Sequence, residues 1–410
     1  MKAHAITDYI HCIHADIDSA DLFEGIWPLP KGVSLNSYVV KGEKTALIDL
    51  FQDRAGAPAQ MEQGLASLGL SFSDLDYLIF NHLEPDHTGW LREFRKINPR
   101  AVIIATAKGI ELVKSFYKID ISGPEPDCLR AVKDGDTLDL GAHKVLSFFE
   151  TPNLHWPETM VTWESGSGTL FSCDAFGSYG SLGSRIFDDE FSPAEHDSFE
   201  AECLRYYANI ISSFSGFVSK AIDKLVNLDI RCVAPSHGMV WRKNPRVIIE
   251  RYAQYASWSQ GPAKPEITVI WGSMYGNTRA GLDAVIRGID KEGIPWRIHQ
   301  VPDENISGIL ADAYRSSALV LAMPTYEYAM FPPMAYVLDI FRRKHIFGKK
   351  VLRLGAWGWI GGARKEYEAA IASLKWTSLE SIEWAGYPDE EVLESLEARG
   401  RELARMLKTD

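Results

Sequence analysis

The chain has 410 residues, with 43 Lys or Arg against 55 Asp or Glu, which gives a formal net charge of −12. This balance excludes a polybasic nucleic-acid binder, and the length predicts two to three domains. No apolar run approaches the roughly 18 residues that a membrane span requires, and the N-terminus lacks the charged and apolar regions of a signal peptide. We therefore expect a cytoplasmic protein that binds neither nucleic acid nor membrane.

The first 260 residues predict a mixed α/β domain. Paired strands are expected early, a long helical stretch is expected later, and a strand with its loop at 231–238 ends the region. Strand pairs interrupted by helices favour a two-sheet sandwich with helices outside. The predicted strands lie at 35–42, 43–51, 77–81 and near 101–105, 129–132, 143–149, 159–163 and 169–173, and the long helix at 193–227.

A Gly/Pro-rich stretch at 258–266 predicts the domain boundary, so we expect domains at 1–260 and 261–410. After it, five strand-like runs alternate with five helical patterns, which is typical of a doubly wound parallel sheet. The strands are expected at 267–271, 297–301, 318–323, 350–357 and 381–386, and the helices at 277–291, 303–316, 332–344, 364–373 and 388–408.

Potential metal ligands are concentrated at the ends of predicted strands in the first domain. Four of them follow the strand 77–81 within six residues, and three more each follow an apolar segment, where loops present functional groups. Four imidazoles and three carboxylates suffice for two metal ions if one carboxylate bridges, and the carboxylates favour a harder ion such as iron. The seven residues are His82, Glu84, Asp86, His87, His155, Asp174 and His237.

The H-x-E-x-D-H pattern at 82–87 resembles the H-x-H-x-D-H motif of the metallo-β-lactamase superfamily, but Glu84 stands where its hydrolytic members have their second histidine. With L-H-W-P at 154–157 and the second domain following, the whole chain resembles the flavodiiron proteins, also called A-type flavoproteins. The resemblance implies a metallo-β-lactamase-like αββα sandwich followed by a flavodoxin-like five-stranded sheet. It also implies the metal ligands: His82, Glu84 and His155 on one iron, Asp86, His87 and His237 on the other, and Asp174 between them.

Three loops of the second domain predict a flavin site. The first enters a helix directly, and hydroxyl and backbone N–H groups at a helix N-terminus bind phosphate without a lysine. It matches neither the Walker A nor the dinucleotide motif, and S-x-Y-G-N-T resembles the flavodoxin phosphate loop, which implies FMN. The other two loops lie where parallel strands end and can contact the isoalloxazine ring. The predicted FMN residues are Ser273, Met274, Tyr275, Gly276, Asn277, Thr278, Pro324, Thr325, Tyr326, Glu327, Tyr328, Ala356, Trp357, Gly358, Trp359 and Gly361.

The resemblance implies an oxidoreductase that reduces O₂ to water, NO to nitrous oxide, or both, at two non-haem irons supplied with electrons through FMN. It further implies a head-to-tail homodimer or a dimer of dimers. Because the chain has no C-x-x-C pair, we expect an external electron donor, with rubredoxin as the first expectation and a reduced deazaflavin or an NADH-linked reductase as alternatives.

Several residues near the expected gas site allow two interpretations. Tyr206 and Tyr207 are candidate proton donors, with helix packing as the alternative. The stretch 19–38 lacks the His-Gly-Tyr motif of many oxygen-reducing relatives, and Phe23 and Trp27 either line the gas pocket or pack in the core. The preference between O₂ and NO therefore stays open.

Two other functions remain as alternatives. The first is a lactamase-type dinuclear zinc hydrolase with a flavodoxin-like appendage, against which Glu84 counts. The second is an electron-transfer flavoprotein whose first domain only docks a partner, against which the full ligand set counts. The five cysteines are predicted to be reduced and mostly buried thiols, and most histidines outside the ligand set are predicted to lie at the surface: His4, His11, His14, His143, His196, His299 and His345.

Overall fold

The computed structural model describes residues 2–17, 22–52, 54, 56–118 and 128–408. The chain forms two compact units. The first contains Met1–Tyr206 and Gly216–Ala253, and the second contains Tyr207–Ser215 and Gln254–Asp410. The short segment Tyr207–Ser215, which lies inside the predicted long helix, thus belongs to the second unit.

The first unit contains a seven-stranded sheet with the order β1-β2-β5-β6-β7-β8-β9 and a separate hairpin of β3 and β4. Neighbours from β1 to β6 are antiparallel, and those from β6 to β9 are parallel. The strands are β1 (His4–Ala5), β2 (Ile10–Ile17), β3 (Leu22–Phe23), β4 (Trp27–Pro28), β5 (Val33–Lys41), β6 (Thr45–Ile48), β7 (Tyr77–Ile79), β8 (Val102–Thr106) and β9 (Leu129–Val132).

A five-stranded sheet faces the first, in the order β10 (Thr137–Asp139), β11 (Val145–Glu150), β12 (Met160–Glu164), β13 (Thr169–Cys173) and β14 (Cys232–Pro235). The sheets meet through apolar packing of Tyr38 against Phe171, whose ring centroids are 5.2 Å apart. The amide of Asn81 also donates to the carbonyl of Phe171 at 3.1 Å. These contacts confirm the predicted metallo-β-lactamase-like sandwich.

The helices of this unit include two that cover the seven-stranded sheet: α1 packs on β2, and α4 packs on β8 and β9. The helices that lie wholly or mostly in this unit are α1 (Ala57–Ser67), α2 (Pro85–Thr88), α3 (Leu91–Ile97), α4 (Ala107–Tyr117), α5 (Pro193–Tyr206), α6 (Ser215–Leu225) and α7 (Pro245–Trp258). Within the described ranges, no helix is both long and apolar enough to cross a bilayer.

The helical stretch predicted at 193–227 is confirmed, but it is not one regular helix, because π-helical and 3₁₀ turns separate α5 from α6. A π-helical turn runs over Tyr207–Ile211 and a 3₁₀ turn over Ser212–Phe214. Ser212 Oγ donates to the carbonyl of Ala208 at 2.8 Å, and Ser215 Oγ donates to that of Ser212 at 2.7 Å. Serine side chains that bind the backbone in this way compete with the helical ladder and bend it.

Two of the seven histidines outside the ligand set are buried and not at the surface. His14 lies on β2, a strand that the sequence analysis did not identify, and its Nε2 is 2.6 Å from the carbonyl of Gly183. His299 is buried between the carboxylates of Glu304 and Asp312, at 2.7 and 3.0 Å. The cysteine prediction is confirmed, since all five are free and buried.

The second unit contains a parallel sheet with the order β16-β15-β17-β20, and two short strands, β21 and β22, both pair with β20. This is the flavodoxin order 2-1-3-4-5 with the fifth strand split, so the predicted sheet is confirmed. The strands are β15 (Lys264–Trp271), β16 (Trp296–Gln300), β17 (Ser316–Ala322), β18 (Thr325–Tyr326), β19 (Ala329–Met330), β20 (Lys350–Trp357), β21 (Thr377–Ser378) and β22 (Ile382–Ala385). The helices are α8 (Asn277–Asp290), α9 (Ile306–Arg315), α10 (Pro332–Arg343), α11 (Ala363–Ile371) and α12 (Glu390–Met406).

Lys349 precedes β20 as a buried amine whose Nζ donates to the carbonyls of Tyr314 and Ser316 at 2.8 and 2.6 Å. Burial lowers the pKa of Lys349 to about 7. An unfolded chain, in which lysine has a pKa of about 10.4, therefore binds more protons than the folded chain between these values. Stability must rise with pH there, by up to about 1.4 kcal/mol per pH unit.

We expect Lys349→Met to remove this dependence. Thermal midpoints measured from pH 7 to pH 9 should then rise in the wild type relative to the variant. The exposed Lys365 provides the control, since Lys365→Met should leave the pH profile unchanged. Parallel profiles for wild type and Lys349→Met would contradict the low pKa.

Candidate metal centre and flavin cavity

Seven potential ligand side chains of the first unit converge at one end of the two sheets. In one group, the ligand atoms all lie within 4.8 Å of one another, and the same holds for a second group. Asp49 and Cys173 form a third, overlapping group with His87. The first group is His82, Glu84, His155 and Asp174, and the second is Asp86, His87 and His237.

Short loops after buried strands position these side chains. The chain leaves β7 towards His82, and Pro85 then starts the single turn α2, which carries Asp86 and His87. Proline suits the first position of a helix because its missing N–H would be unpaired there anyway. Asp174 directly follows β13, and His237 follows β14 by two residues.

Asp174 lies between the two groups. Its Oδ2 is 3.1 Å from His155 Nε2 and 3.5 Å from His82 Nε2. Its Oδ1 is 3.0 Å from His87 Nε2 and 3.3 Å from His237 Nε2. Each carboxylate oxygen therefore faces the imidazoles of a different group, which is the arrangement that a bridging ligand requires.

The remaining carboxylates each belong to one group. Glu84 Oε2 lies 3.3 Å from His82 Nε2 and 3.2 Å from His155 Nε2. Asp86 contacts the other pair, at 3.5 Å from His87 and 3.3 Å from His237. Each group thus combines two imidazoles with a carboxylate of its own, and the two groups share Asp174.

These residues fit a pair of metal cations. Both carboxylate oxygens of Asp86 and the Nε2 of His237 are buried and form no hydrogen bond within the described part of the chain. Leaving such atoms without a partner is costly, and a bound cation would satisfy them. Burial opposes protonation, but hydrogen bonds that His155 donates to the carboxylates of Asp174 and Glu84 raise its pKa to about 10. The pocket therefore favours bound cations, and protons and metal ions compete for the imidazole nitrogens.

A second site occupies the carboxyl ends of the parallel strands in the second unit. It is a cavity of about 260 Å³ lined by thirteen of the sixteen residues predicted for FMN. The lining lacks Gly276, Tyr328 and Gly361. Gly276 instead begins α8 with a φ of 87°, which glycine adopts without strain, and its N–H donates to Ser273 Oγ at 3.0 Å.

The cavity joins the predicted phosphate loop to the aromatic loops. Thr278 Oγ1, in the first turn of α8, accepts a hydrogen bond from the N–H of Ala356 at 3.4 Å. Two of the aromatic side chains on the rim are strongly exposed, Tyr275 by 89% and Trp359 by 76%. The arrangement offers the N–H groups of a helix terminus on one side and flat aromatic surfaces on another, which suits a phosphorylated aromatic cofactor.

Comparisons with known proteins agree with this geometry. Residues 33–238 match the family described as "ODP family beta lactamase". The anaerobic nitric oxide reductase flavorubredoxin of Vibrio vulnificus (strain YJ016) is 32% identical over 411 aligned residues, covering 99% of this chain and 80% of that protein. The chain belongs to the flavodiiron protein family.

Two solved structures support the assignment along the whole chain. Rubredoxin oxygen:oxidoreductase from the anaerobe Desulfovibrio gigas superposes with a TM-score of 0.91 at 25% identity, covering 99% of this chain and 98% of that one. The flavodiiron protein of Giardia intestinalis gives a TM-score of 0.90 at 25% identity, covering 100% and 97%. Flavodiiron proteins are oxidoreductases with FMN and a non-haem diiron site, and the residues of this chain fit both groups.

Residues behind the ligands fix the imidazole rings of this flavodiiron protein. His82 Nδ1 donates to Glu158 Oε1 at 2.8 Å, and the same oxygen accepts the N–H of Leu83 at 3.1 Å. His237 Nδ1 donates to the carbonyl of Ser34 at 2.8 Å. Because these bonds occupy Nδ1, they leave Nε2 of both rings directed at the centre, as metal-ligating histidines require.

Glu158 should therefore be needed for tight metal binding. We expect Glu158→Gln to weaken iron retention by about tenfold, because outer carboxylates that orient histidine ligands have effects of that order. Iron loss to a chelator would measure it. Glu164→Gln is the matched control, since Glu164 is also buried but contacts Tyr9 and Ser167 instead, and it should retain iron normally. Equal retention in both variants would contradict the role of Glu158.

The structure separates the two tyrosines proposed as proton donors. Tyr206 is fully buried, its ring centroid is 5.8 Å from that of His237, and its hydroxyl has no hydrogen-bond partner among the described residues. The hydroxyl of Tyr207 instead lies 2.9 Å from Ser215 Oγ in the second unit, and its ring packs on Tyr255 and Tyr314. For Tyr207 the geometry supports the packing alternative, because its hydroxyl is already engaged.

Phe23 and Trp27 lie in different environments. The ring of Phe23 meets that of His237 edge to face at 5.4 Å, so Phe23 forms part of the wall of the centre. Trp27 is buried, and its Nε1 donates to Glu24 Oε2 at 2.9 Å. Its environment is that of a core residue.

Three residues near the centre escaped the sequence analysis. Glu158 follows His155 by three residues, and its position in that loop could have suggested a supporting role. Tyr179 is fully buried with its ring centroid 5.1 Å from that of Tyr206. Asp49 accepts hydrogen bonds from Asn81 N and Ser236 Oγ at 3.0 and 3.2 Å. Nothing in the local sequence of Tyr179 or Asp49 indicates these contacts.

Proposed function

We propose that this flavodiiron protein reduces nitric oxide to nitrous oxide, dioxygen to water, or both, with electrons relayed through FMN to two irons. The observation that carries the proposal is the pair of ligand groups around Asp174, with Glu84 in place of the hydrolase histidine. Nitric oxide is the first substrate to test, because the 32% identical relative is named a nitric oxide reductase. The relative named for oxygen reduction is 25% identical.

In this proposal, one iron is held by His82, Glu84 and His155 and the other by Asp86, His87 and His237, with Asp174 bridging. The two oxygens of Asp174 lie close to different pairs of imidazoles, which supports this division of the ligands between the two irons. When bound, the diiron site supplies redox electrons and a place for a diatomic gas. The protein contributes the fixed ligand geometry and the exclusion of water.

Three aromatic side chains form the apolar wall beside His237. Phe23 lies with its ring centroid 5.6 Å from that of Tyr179 and 6.2 Å from that of Tyr206. The hydroxyl of Tyr206 is buried beside His237 and has no hydrogen-bond partner among the described residues, so it is available to donate its proton. Because both gas reductions consume protons, we assign Tyr206 as the proton donor from this chain.

A rubredoxin-type protein is the proposed electron donor. Two relatives carry rubredoxin in their names, and the flavin cavity is rimmed by exposed aromatic side chains that a donor can approach. We also propose a cytoplasmic location and a head-to-tail homodimer or dimer of dimers. Sedimentation analysis tests the assembly, and a monomer with full activity would contradict it.

The activity is tested by anaerobic gas consumption with protein reconstituted with FMN and iron. A chemical reductant replaces the donor, and electrodes follow NO and O₂ in separate experiments. We expect turnover of at least one gas, and the two rates rank the substrates. Absence of turnover with metal and flavin bound would contradict the proposal and favour the zinc hydrolase, which ester hydrolysis by the zinc-loaded protein would then test.

A further inference from the structure

A buried ion pair lies in the second unit beside the flavin cavity. Arg353, on β20, is 1% exposed, and its Nη1 is 2.6 Å from Oε1 of Glu383 on β22. Glu383 is more accessible, with 21% of its side chain exposed. Burial lowers the pKa of Arg353, and the nearby Glu383 carboxylate opposes that shift.

The buried charges of Arg353 and Glu383 have few hydrogen bonds to replace the water that they lose on burial. The three guanidinium nitrogens of Arg353 and the Oε1 of Glu383 are buried and, within the described residues, form no hydrogen bond of normal geometry. Isolated buried ion pairs contribute little net stability, because desolvation offsets their attraction. Fold stability is therefore a weak explanation for this pair.

The position of Glu383 suggests another role. In the parallel pairing of β20 with β22, Glu383 is the partner of Gly355, which precedes the cavity residues Ala356 and Trp357. A Cβ placed on Gly361 would lie 3.8 Å from Glu383 Oε2 and 3.7 Å from Trp357 Cδ1. One carboxylate oxygen thus faces Arg353, while the other faces the loop 357–362.

We propose that Arg353 and Glu383 form a positioning pair for the loop 357–362 and balance the charge beside the flavin cavity, so that together they set the reduction potential of FMN. The inference rests on the proposed FMN site. Glu383 supports the loop at Gly361, and Arg353 holds Glu383 in place and cancels its charge. Neither side chain lines the cavity, so both act through the loop and through their electric field.

The charges of Arg353 and Glu383 predict the direction in which each substitution shifts the reduction potential of FMN. Two-electron reduction of FMN at neutral pH takes up two electrons and one proton and so adds one negative charge. Arg353 precedes Ala356 by three residues, or roughly 10 Å along a strand. At that distance, with an effective dielectric constant of about 20, one uncompensated charge changes the reduction equilibrium by about tenfold.

The two partners should therefore shift the potential in opposite directions. Glu383→Gln leaves a positive guanidinium, and we expect the reduced form of FMN to be favoured by about tenfold, or about 30 mV for a two-electron couple. Arg353→Met leaves a negative carboxylate and should favour the oxidised form by a similar factor. The double variant should return close to the wild-type potential, and Arg353→Lys should stay near it.

Anaerobic titration of the FMN-loaded protein against a reference dye measures these potentials, and FMN binding measures the support of the loop. Single variants should bind oxidised FMN at least about threefold more weakly. The ion pair of Arg315 with Glu266 is the control, with Nη2–Oε distances of 2.7 and 3.1 Å at the opposite ends of the strands. Glu266→Gln should change neither potential nor affinity.

The outcomes separate this inference from the proposed function. A wild-type protein that does not bind FMN would contradict the flavin site itself. If the wild type binds FMN and both single variants keep its potential and affinity, only the positioning pair is wrong. Shifts of the same sign in both variants would indicate general loosening and would also overturn the inference. If Arg353→Met fails to fold, the test compares the FMN potentials of Arg353→Lys and Glu383→Gln.

Discussion

Replacing Asp174 with alanine will remove gas reduction and leave the flavin in place. Asp174 is 2% exposed and contacts imidazoles of both ligand groups through separate oxygens. Its loss leaves four histidines and two carboxylates without the group that holds the cations together. We expect NO and O₂ turnover to fall at least about a thousandfold, as for loss of an essential active-site group, and iron to fall below one ion per chain. Elemental analysis and gas electrodes measure both.

Asp188→Asn is the matched control for Asp174→Ala. Asp188 is also a buried carboxylate of the first unit, but it accepts the backbone N–H groups of Arg242, Lys243 and Asn244 at 3.0 Å. This variant should lose some thermal stability and retain iron and activity. FMN content should equal that of the wild type in both variants. Normal turnover by Asp174→Ala would favour the electron-transfer flavoprotein instead.

Gly355→Ala is expected to destroy the flavin cavity. A Cβ at this position would lie 1.8 Å from the carbonyl oxygen of Met323 and 2.8 Å from its carbonyl carbon. Both are backbone atoms directly before Pro324 and Thr325, which line the cavity, so no flexible side chain can move aside. We expect a loss of about 3 kcal/mol in stability, at the upper end of typical overpacking, and FMN binding weakened more than about a hundredfold.

The control for this substitution is Gly308→Ala in α9. Space around Gly308 is open, since a Cβ there would meet nothing within 4 Å. Alanine also favours a helix over glycine by about 1 kcal/mol, so this variant should bind FMN normally and melt slightly higher. Fluorescence titration with FMN and thermal unfolding measure the two effects. Normal FMN affinity in Gly355→Ala would contradict the close approach of β20 to Met323.

Hydrophobic patterns predicted most of the second unit because each element has a distinct period. β17, for example, is buried at every position, as a central parallel strand must be. The split fifth strand could not be predicted, because it depends on pairing of two short segments with β20. The break between α5 and α6 also escaped, since it depends on which carbonyls the serines of that segment bind in three dimensions.

The candidate metal centre was accessible from sequence because four of its side chains lie within six residues after one strand. His155, Asp174 and His237 are distant in sequence; their positions after apolar segments made them candidates, and the resemblance assigned them to the two irons. Residues such as Asp49 and Tyr179 act through contacts made by the fold. The ion pair of Arg353 with Glu383 carries no local signal at all, since a lone arginine in an apolar strand does not indicate its partner.

In the proposed function, FMN electrons reduce the gas at the diiron site of the same protein, and this coupling can be measured. It is tested most directly by mixing anaerobic, fully reduced protein with NO and following flavin absorbance and nitrous oxide together. We expect reoxidation of FMN with at least one nitrous oxide formed for each two-electron reduced flavin, and loss of both signals in Asp174→Ala. Flavin that stays reduced in the presence of NO, with iron bound and no nitrous oxide formed, would contradict it.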